Sequence, residues 1–143
     1  MQLSTIIAAK GANVITVPPD ASVADLVALL AENRIGALVV SEDGHAITGI
    51  VSERDVVQAI ARGAAALSES VASIMTTTVF CAPPEAHIED LMALMTEKRV
   101  RHIPITDGEG LLVGIVSIGD IVKMRLGELE GERQAMLEYI TKG

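Results

Sequence analysis

The sequence predicts an α/β (α+β) fold assembled from two copies of one β-α-β-β-α unit. Three observations carry that prediction. The segment Gly49-Ile50-Val51-Ser52-Glu53-Arg54-Asp55 recurs as Gly114-Ile115-Val116-Ser117-Ile118-Gly119-Asp120, 65 positions later, and the offset holds without a gap from Val14 and Val79 onward. Residues 14–59 and 79–124 share 16 identities in 46 aligned positions. That is far above chance, at a period too long for a solenoid, whose repeats run about 20–50 residues. Each copy also carries the same order of strand, helix and turn signals, and a lone unit of this size buries too little surface to stand well alone.

The elements follow in order. Val14 to Val17 and Val79 to Ala82 read as short strands that run into Pro18-Pro19 and Pro83-Pro84, which end ladder pairing. A helix comes next. Ser22 with Asp25 matches a capping box, and Val23, Leu26, Val27 and Leu30 share one helical face, repeated as Ile88, Leu91, Met92 and Met95. Two apolar runs then flank a turn. They are Ala37 to Val40 and Ile47 to Val51 around Glu42-Asp43-Gly44, and Ile103 to Thr106 and Leu111 to Val116 around Asp107-Gly108-Glu109-Gly110. Each pair reads as a hairpin. A second helix starts at Ser52 or Ser117. The small and polar stretch Gly63 to Ser70 reads as the connection, giving units over 1–65 and 66–126. Residues 127–143 form a tail, and Leu126, just before it, with Leu129, Met136 and Ile140 fall at helical steps with Arg133 among them, a pattern weakened by Gly127 and Gly131. Packing back on its own domain and contact with a second copy both fit this pattern.

Composition narrows the function. Half the residues are apolar and only 1% aromatic, so the core is aliphatic. The net charge of −8 argues against nucleic acid, which selects basic faces and aromatic platforms. An anionic ligand remains compatible, because a few local cations outweigh a distant negative surface. Cys81 is the only cysteine, so neither an intrachain disulfide nor a zinc set is expected, and Cys81 reads as a core strand residue. No membrane span is expected, and the expected compartment is the cytoplasm.

The repeated Gly-Ile-Val-Ser-x-x-Asp has two readings. Ser52 with Asp55, and Ser117 with Asp120, satisfy a helix-capping box, which alone would account for either copy. Three features point to a ligand as well. A glycine inside an apolar strand marks close approach by another backbone or a ligand. A strand-to-helix junction offers free N–H groups and a helix dipole to an anion. A carboxylate one turn in can accept from vicinal hydroxyls, as acidic residues do for ribose elsewhere.

These motifs, with the Pro-Pro-(Asp/Glu)-Ala helix entry and the Arg34-Ile35 and Arg99-Val100 steps, resemble a tandem pair of CBS domains, the modules named after cystathionine β-synthase. The likeness covers residues 1–125 and fits stand-alone pairs of bacterial or archaeal type. It implies two units packed sheet to sheet about a pseudo-twofold axis, with two clefts for adenosine compounds. Ser52, Arg54 and Asp55 would hold ribose and phosphate in one cleft, with Thr78, Val79, Phe80, Arg101 and His102 from the other unit. Ser117 and Asp120 would do so in the second, with Val14, Ile15, Gly36 and Ala37, and Lys10 as the nearest cation. Arg101-His102 stands where the first copy has Gly36-Ala37, so the Asp55 cleft is the one equipped for phosphate.

No catalytic residues are expected. Gly114 stands three places before Ser117, where a nucleophile elbow needs it two before. Phosphate-loop and dinucleotide glycine fingerprints are absent, and His45, His87 and His102 lack metal-ligand spacing. The expected function is a non-catalytic regulatory, energy-sensing module binding AMP, ADP, ATP, NAD or S-adenosylmethionine, with no cofactor required. The alternative is a purely structural oligomerisation module. A homodimer through Val27, Leu30, Met92 and Met95 is expected, together with a regulated protein partner that the sequence does not identify.

Overall fold

The structure, a computed structural model, describes residues 2–11 and 14–142. Its elements are α1 (Leu3–Lys10), β1 (Thr16–Val17), α2 (Val23–Asn33), β2 (Ala37–Val40), β3 (Gly49–Ser52) and α3 (Glu53–Arg62), then a 3-10 turn (Ala64–Ser68), α4 (Val71–Ile74), α5 (Ile88–Lys98), β4 (His102–Thr106), β5 (Leu112–Ser117) and α6 (Ile118–Lys142). In the first unit β1 pairs parallel with β2, and β2 antiparallel with β3. In the second, β4 and β5 form the matching hairpin.

Each unit has its own aliphatic core. Val17, Val23, Leu26, Leu38, Val40 and Val51 anchor the first, and Ile88, Leu91, Ile103, Ile105, Val116 and Ile121 the second. The helical face expected from the pattern splits: Leu30 (7% exposed) and Met95 (4%) are core residues, whereas Val27 (36%) and Met92 (42%) remain outside. The expected association face therefore loses Leu30 and Met95, whose positions on α2 and α5 turn them into the core of their own unit.

The first strands are shorter than the sequence suggests. Only Thr16–Val17 pairs in copy one, and in copy two the run from Val79 shrinks to a single bridge, Ala82 to Ile105. The position matching Val39 is Pro104, which has no N–H to give an incoming parallel strand. Ala82 N still donates to Pro104 O (3.1 Å) and Thr106 N to Ala82 O (3.0 Å), so the ladder survives on the far side of the proline alone. Cys81, expected in the core, is exposed, because Ala82 is the residue that turns inward.

Two helices were not foreseen, and they exchange. α1 precedes the first repeat but docks on the second unit: Leu3 N donates to Ala86 O and Ser4 N to Pro84 O (both 3.0 Å), and Leu3 and Ile6 enter the second core. α4 precedes the second repeat but docks on the first, through Val71 N to Ala21 O (2.8 Å) and Ala72 N to Pro19 O (2.9 Å). Each unit is thus completed by the segment leading into the other. Finally, α6 runs unbroken for 25 residues, and every residue from Leu129 to Lys142 is exposed. The tail does not pack back on its domain.

Candidate functional site

Both motif segments end a strand and begin a helix. At the end of β3, Ser52 caps α3: its N–H donates to Asp55 Oδ2 (2.9 Å), its hydroxyl lies 3.2 Å from the same oxygen, and Asp55 N donates to Ser52 Oγ (3.4 Å). Ser117 and Asp120 repeat this at 2.9, 3.0 and 3.2 Å. The capping reading is therefore correct for both copies. At Ser22 only half of it forms, with Asp25 N donating to Ser22 Oγ (3.0 Å). Capping uses one carboxylate oxygen; among the described residues, Oδ1 of Asp55 and of Asp120 accepts no hydrogen bond and remains available.

The strand glycines record close approach. A Cβ on Gly49 would lie 2.8 Å from Met75 Sδ and 2.9 Å from Thr76 O, and one on Gly114 would lie 3.2 Å from Ile7 Cγ1. The approaching groups belong to the two exchanged segments. Thr76 pairs with the open edge of β3, Ile50 N to Thr76 O at 2.9 Å and Thr76 N to Ile50 O at 2.8 Å. That pairing carries Thr78, Val79 and Phe80 over to Asp55.

The result is two clefts, each built from both units. The larger, about 780 Å³, brings Ser52, Arg54 and Asp55 together with Thr78, Val79, Phe80, Arg101 and His102. The smaller, about 400 Å³, brings Ser117 and Asp120 together with Lys10, Val14, Ile15, Gly36 and Ala37. Four residues serve both: Gly36, Ala37, His102 and Ser117 line the two clefts alike. His102 comes within 3.5 Å of where a Gly36 Cβ would be, so the glycine leaves room for the imidazole between the clefts. Ala37 is buried and offers mainly backbone.

The sequence reading counted Arg34 and Arg99 among the marks of the repeat but not among the site residues. Both end a helix in the left-handed conformation (φ 53° and 55°), which costs a side-chain-bearing residue energy that glycine avoids. Arg34 lines the smaller cleft and Arg99 the larger. Their matched spacing in the repeat was the available signal; a glycine or asparagine is the usual mark of such a turn, and neither is present.

Electrostatically the clefts differ. The larger holds Arg54, Arg99 and Arg101 against Glu53 and Asp55, and its Phe80 ring lies beneath Lys98 (5.4 Å). In the smaller, Lys10 Nζ donates to Asp120 Oδ2 (2.7 Å) and to Ile115 O (2.8 Å). Partial burial pushes the Asp120 carboxyl up, but the hydrogen bonds from Lys10 and Ser117 outweigh it and hold it below the usual carboxylate range. Burial, helped by the Lys10 charge, pulls His102 below the ordinary imidazole value. His45 lies in an exposed turn and His87 at the start of α5, both away from the clefts.

Comparison with known proteins agrees with this architecture. The CBS domain family matches residues 9–62 and again 71–127. The chain is 37% identical over 129 residues to the mitochondrial CBS domain-containing protein CBSX3 of Arabidopsis thaliana, covering 87% of this chain. The CBS-domain protein ATU1752 of Agrobacterium tumefaciens superposes with a TM-score of 0.81 at 41% identity, over 87% of this chain and 98% of that one. CBSX2, solved in complex with AMP, superposes at 0.71 with 28% identity, over 80% and 89%. The chain spans 62% of the length of CBSX3, and 22% of an inosine-5'-monophosphate dehydrogenase of Methanocaldococcus jannaschii matched at 33% identity. With two tandem matches and two exchanged units around paired clefts, the chain belongs to the CBS-domain family.

Proposed function

We propose that the chain is a non-catalytic regulatory module that senses adenosine-containing ligands, AMP, ADP, ATP or NAD, in its two clefts. One observation carries the reading: in each copy the capping serine and aspartate are delivered into a cleft walled by the other unit, with one carboxylate oxygen left to accept from ribose hydroxyls. In the larger cleft Arg101 and Arg99 supply cations for phosphate, and Phe80 a face on which adenine can stack. The relative CBSX2 holding AMP supports the same ligand class. We place the module in the cytoplasm, with an unidentified regulated protein as its output.

A thermal-shift panel tests this. A ligand that binds only the folded form stabilises by RT ln(1 + [L]/Kd), about 2.7 kcal/mol at a hundredfold excess over Kd. AMP and its relatives should raise the melting temperature, and product assays on the same mixtures should stay blank. No shift with any adenosine compound would leave the structural oligomerisation module as the function.

Association of two copies is part of the proposal. Val27, Val57, Ile60, Met92, Val122 and Leu126 are exposed on the helices, and Leu129, Met136, Leu137, Tyr139 and Ile140 continue along the projecting end of α6. An apolar surface of this extent marks an association face. A monomer by light scattering at micromolar concentration, with and without AMP, would refute it.

A further inference from the structure

We infer that Lys10 is an intramolecular competitor in the Asp120 cleft, which makes the two clefts fill in order, Asp55 first. The inference rests on the adenosine-site reading above and adds what sets the relative affinity of its two halves.

The exchange of segments shows why only one cleft is so occupied. Leu3 and Val71 dock alike, as do Ser4 and Ala72, and Ile7 on Gly114 matches Met75 on Gly49. Lys10 therefore corresponds to Thr78. α4 stops at Ile74, and the chain beyond it pairs with β3, so that Thr76 N satisfies Ile50 O at 2.8 Å. α1 instead keeps turning to Lys10, and among the described residues no backbone amide takes the equivalent role at Ile115. The Lys10 ammonium does, at the same 2.8 Å, and from that anchor it reaches Asp120 Oδ2 at 2.7 Å. Thr78 is too short to do this at Asp55, whose carboxylate meets only its own Ser52 among the described residues.

Lys10 sits on Oδ2, so a ribose hydroxyl arriving at the open Oδ1 meets a carboxylate whose charge is already drawn by a fixed cation, a competition absent at Asp55. The ion pair is partly exposed, at 37% for the lysine side chain and 23% for the aspartate, so its strength is that of a surface pair with one added hydrogen bond. Its removal should tighten neutral ligands in this cleft by about three- to tenfold. Adenosine is the probe, since it carries the ribose and no phosphate that Lys10 could attract.

Ile50 lines only the Asp55 cleft and Ile115 only the other, so their methyl resonances report the two sites separately. In the parent, an adenosine titration should move Ile50 at lower concentration than Ile115. In Lys10→Met the Ile115 curve should shift about three- to tenfold toward lower concentration while Ile50 stays in place, and Lys10→Arg should restore the parent order. Lys10→Gln, which keeps a donor for the Ile115 carbonyl, gives the same readout should the methionine variant fail to fold. An Ile115 curve that is unmoved, or moved to higher concentration, with Ile50 still titrating, overturns the inference alone. Silence of both methyls in every protein sinks the adenosine-site reading and this inference with it.

Discussion

Substituting alanine at the two motif glycines should have sharply unequal effects, although the local sequences match. At Gly49 the new methyl would meet Met75 Sδ at 2.8 Å and the Thr76 carbonyl oxygen at 2.9 Å. The sulfur can swing away; the carbonyl cannot, because it accepts from Ile50 N (2.9 Å) while Thr76 N donates to Ile50 O (2.8 Å). Relief means straining or breaking that bridge. Overpacking costs about 1–3 kcal/mol and each lost hydrogen bond about 1 kcal/mol, against about 0.5–1 kcal/mol recovered by removing a strand glycine. The net for Gly49→Ala is roughly 2–3 kcal/mol, a fall of roughly 5–10 °C in melting temperature for a chain of this size. At Gly114 the methyl's three nearest neighbours are all in the Ile7 side chain, Cγ1 first at 3.2 Å, so a shift of a few tenths of an ångström suffices and the net stays within about 1 kcal/mol. Because the Thr76 bridge also carries Thr78 and Phe80 over to Asp55, Gly49→Ala should weaken AMP in the larger cleft as well. Scanning calorimetry on both variants, followed by AMP titration, checks this. If Gly49→Ala melts with the parent, or Gly114→Ala is the worse of the two, close backbone approach is not why the strand carries glycine.

Other outcomes follow from the same geometry. Asp55→Ala should cost the larger cleft a charged hydrogen bond, about 1.5–3 kcal/mol or roughly ten- to a hundredfold in AMP affinity by calorimetry on folded protein, while the lost cap lowers stability by about 1 kcal/mol. Unchanged affinity would reduce the aspartate to a cap. Arg101→Ala should weaken AMP much more than adenosine; an equal loss of both would remove its phosphate role. His102 has a folded pKa below its ordinary 6.5, so the unfolded chain binds the proton more readily. Stability should therefore fall as pH drops below about 6.5, and His102→Gln should flatten that limb of a denaturation-versus-pH series. Truncation after Glu128 should leave the melting temperature of the body nearly unchanged, since Leu129 to Lys142 are all exposed, while reducing association in light scattering.

Much of this protein is written locally. The β-α-β-β-α order and the capping boxes at Ser52 and Ser117 depend on residues a few positions apart, where periodicity and hydrogen-bond reach leave little choice, and the 65-residue offset is legible by comparing the chain with itself. The division of Asp55 and Asp120 between two clefts came from the family resemblance, and the structure brings those residue sets together. Tertiary structure decided the rest. α1 and α4 are short, and what makes them helices is the apolar surface each covers on the opposite unit, at separations of about eighty and fifty residues that no window along the chain reports. The left-handed turns at Arg34 and Arg99 carry no glycine to announce them. The loss of the first strand in copy two was present as Pro104, but its consequence depends on which neighbour would have needed the missing N–H. Lys10 and Asp120 lie 110 positions apart and meet only because α1 is docked on the second unit. Local sequence selects the elements; burial of apolar surface across the two repeats selects their partners, and with them the character of each cleft.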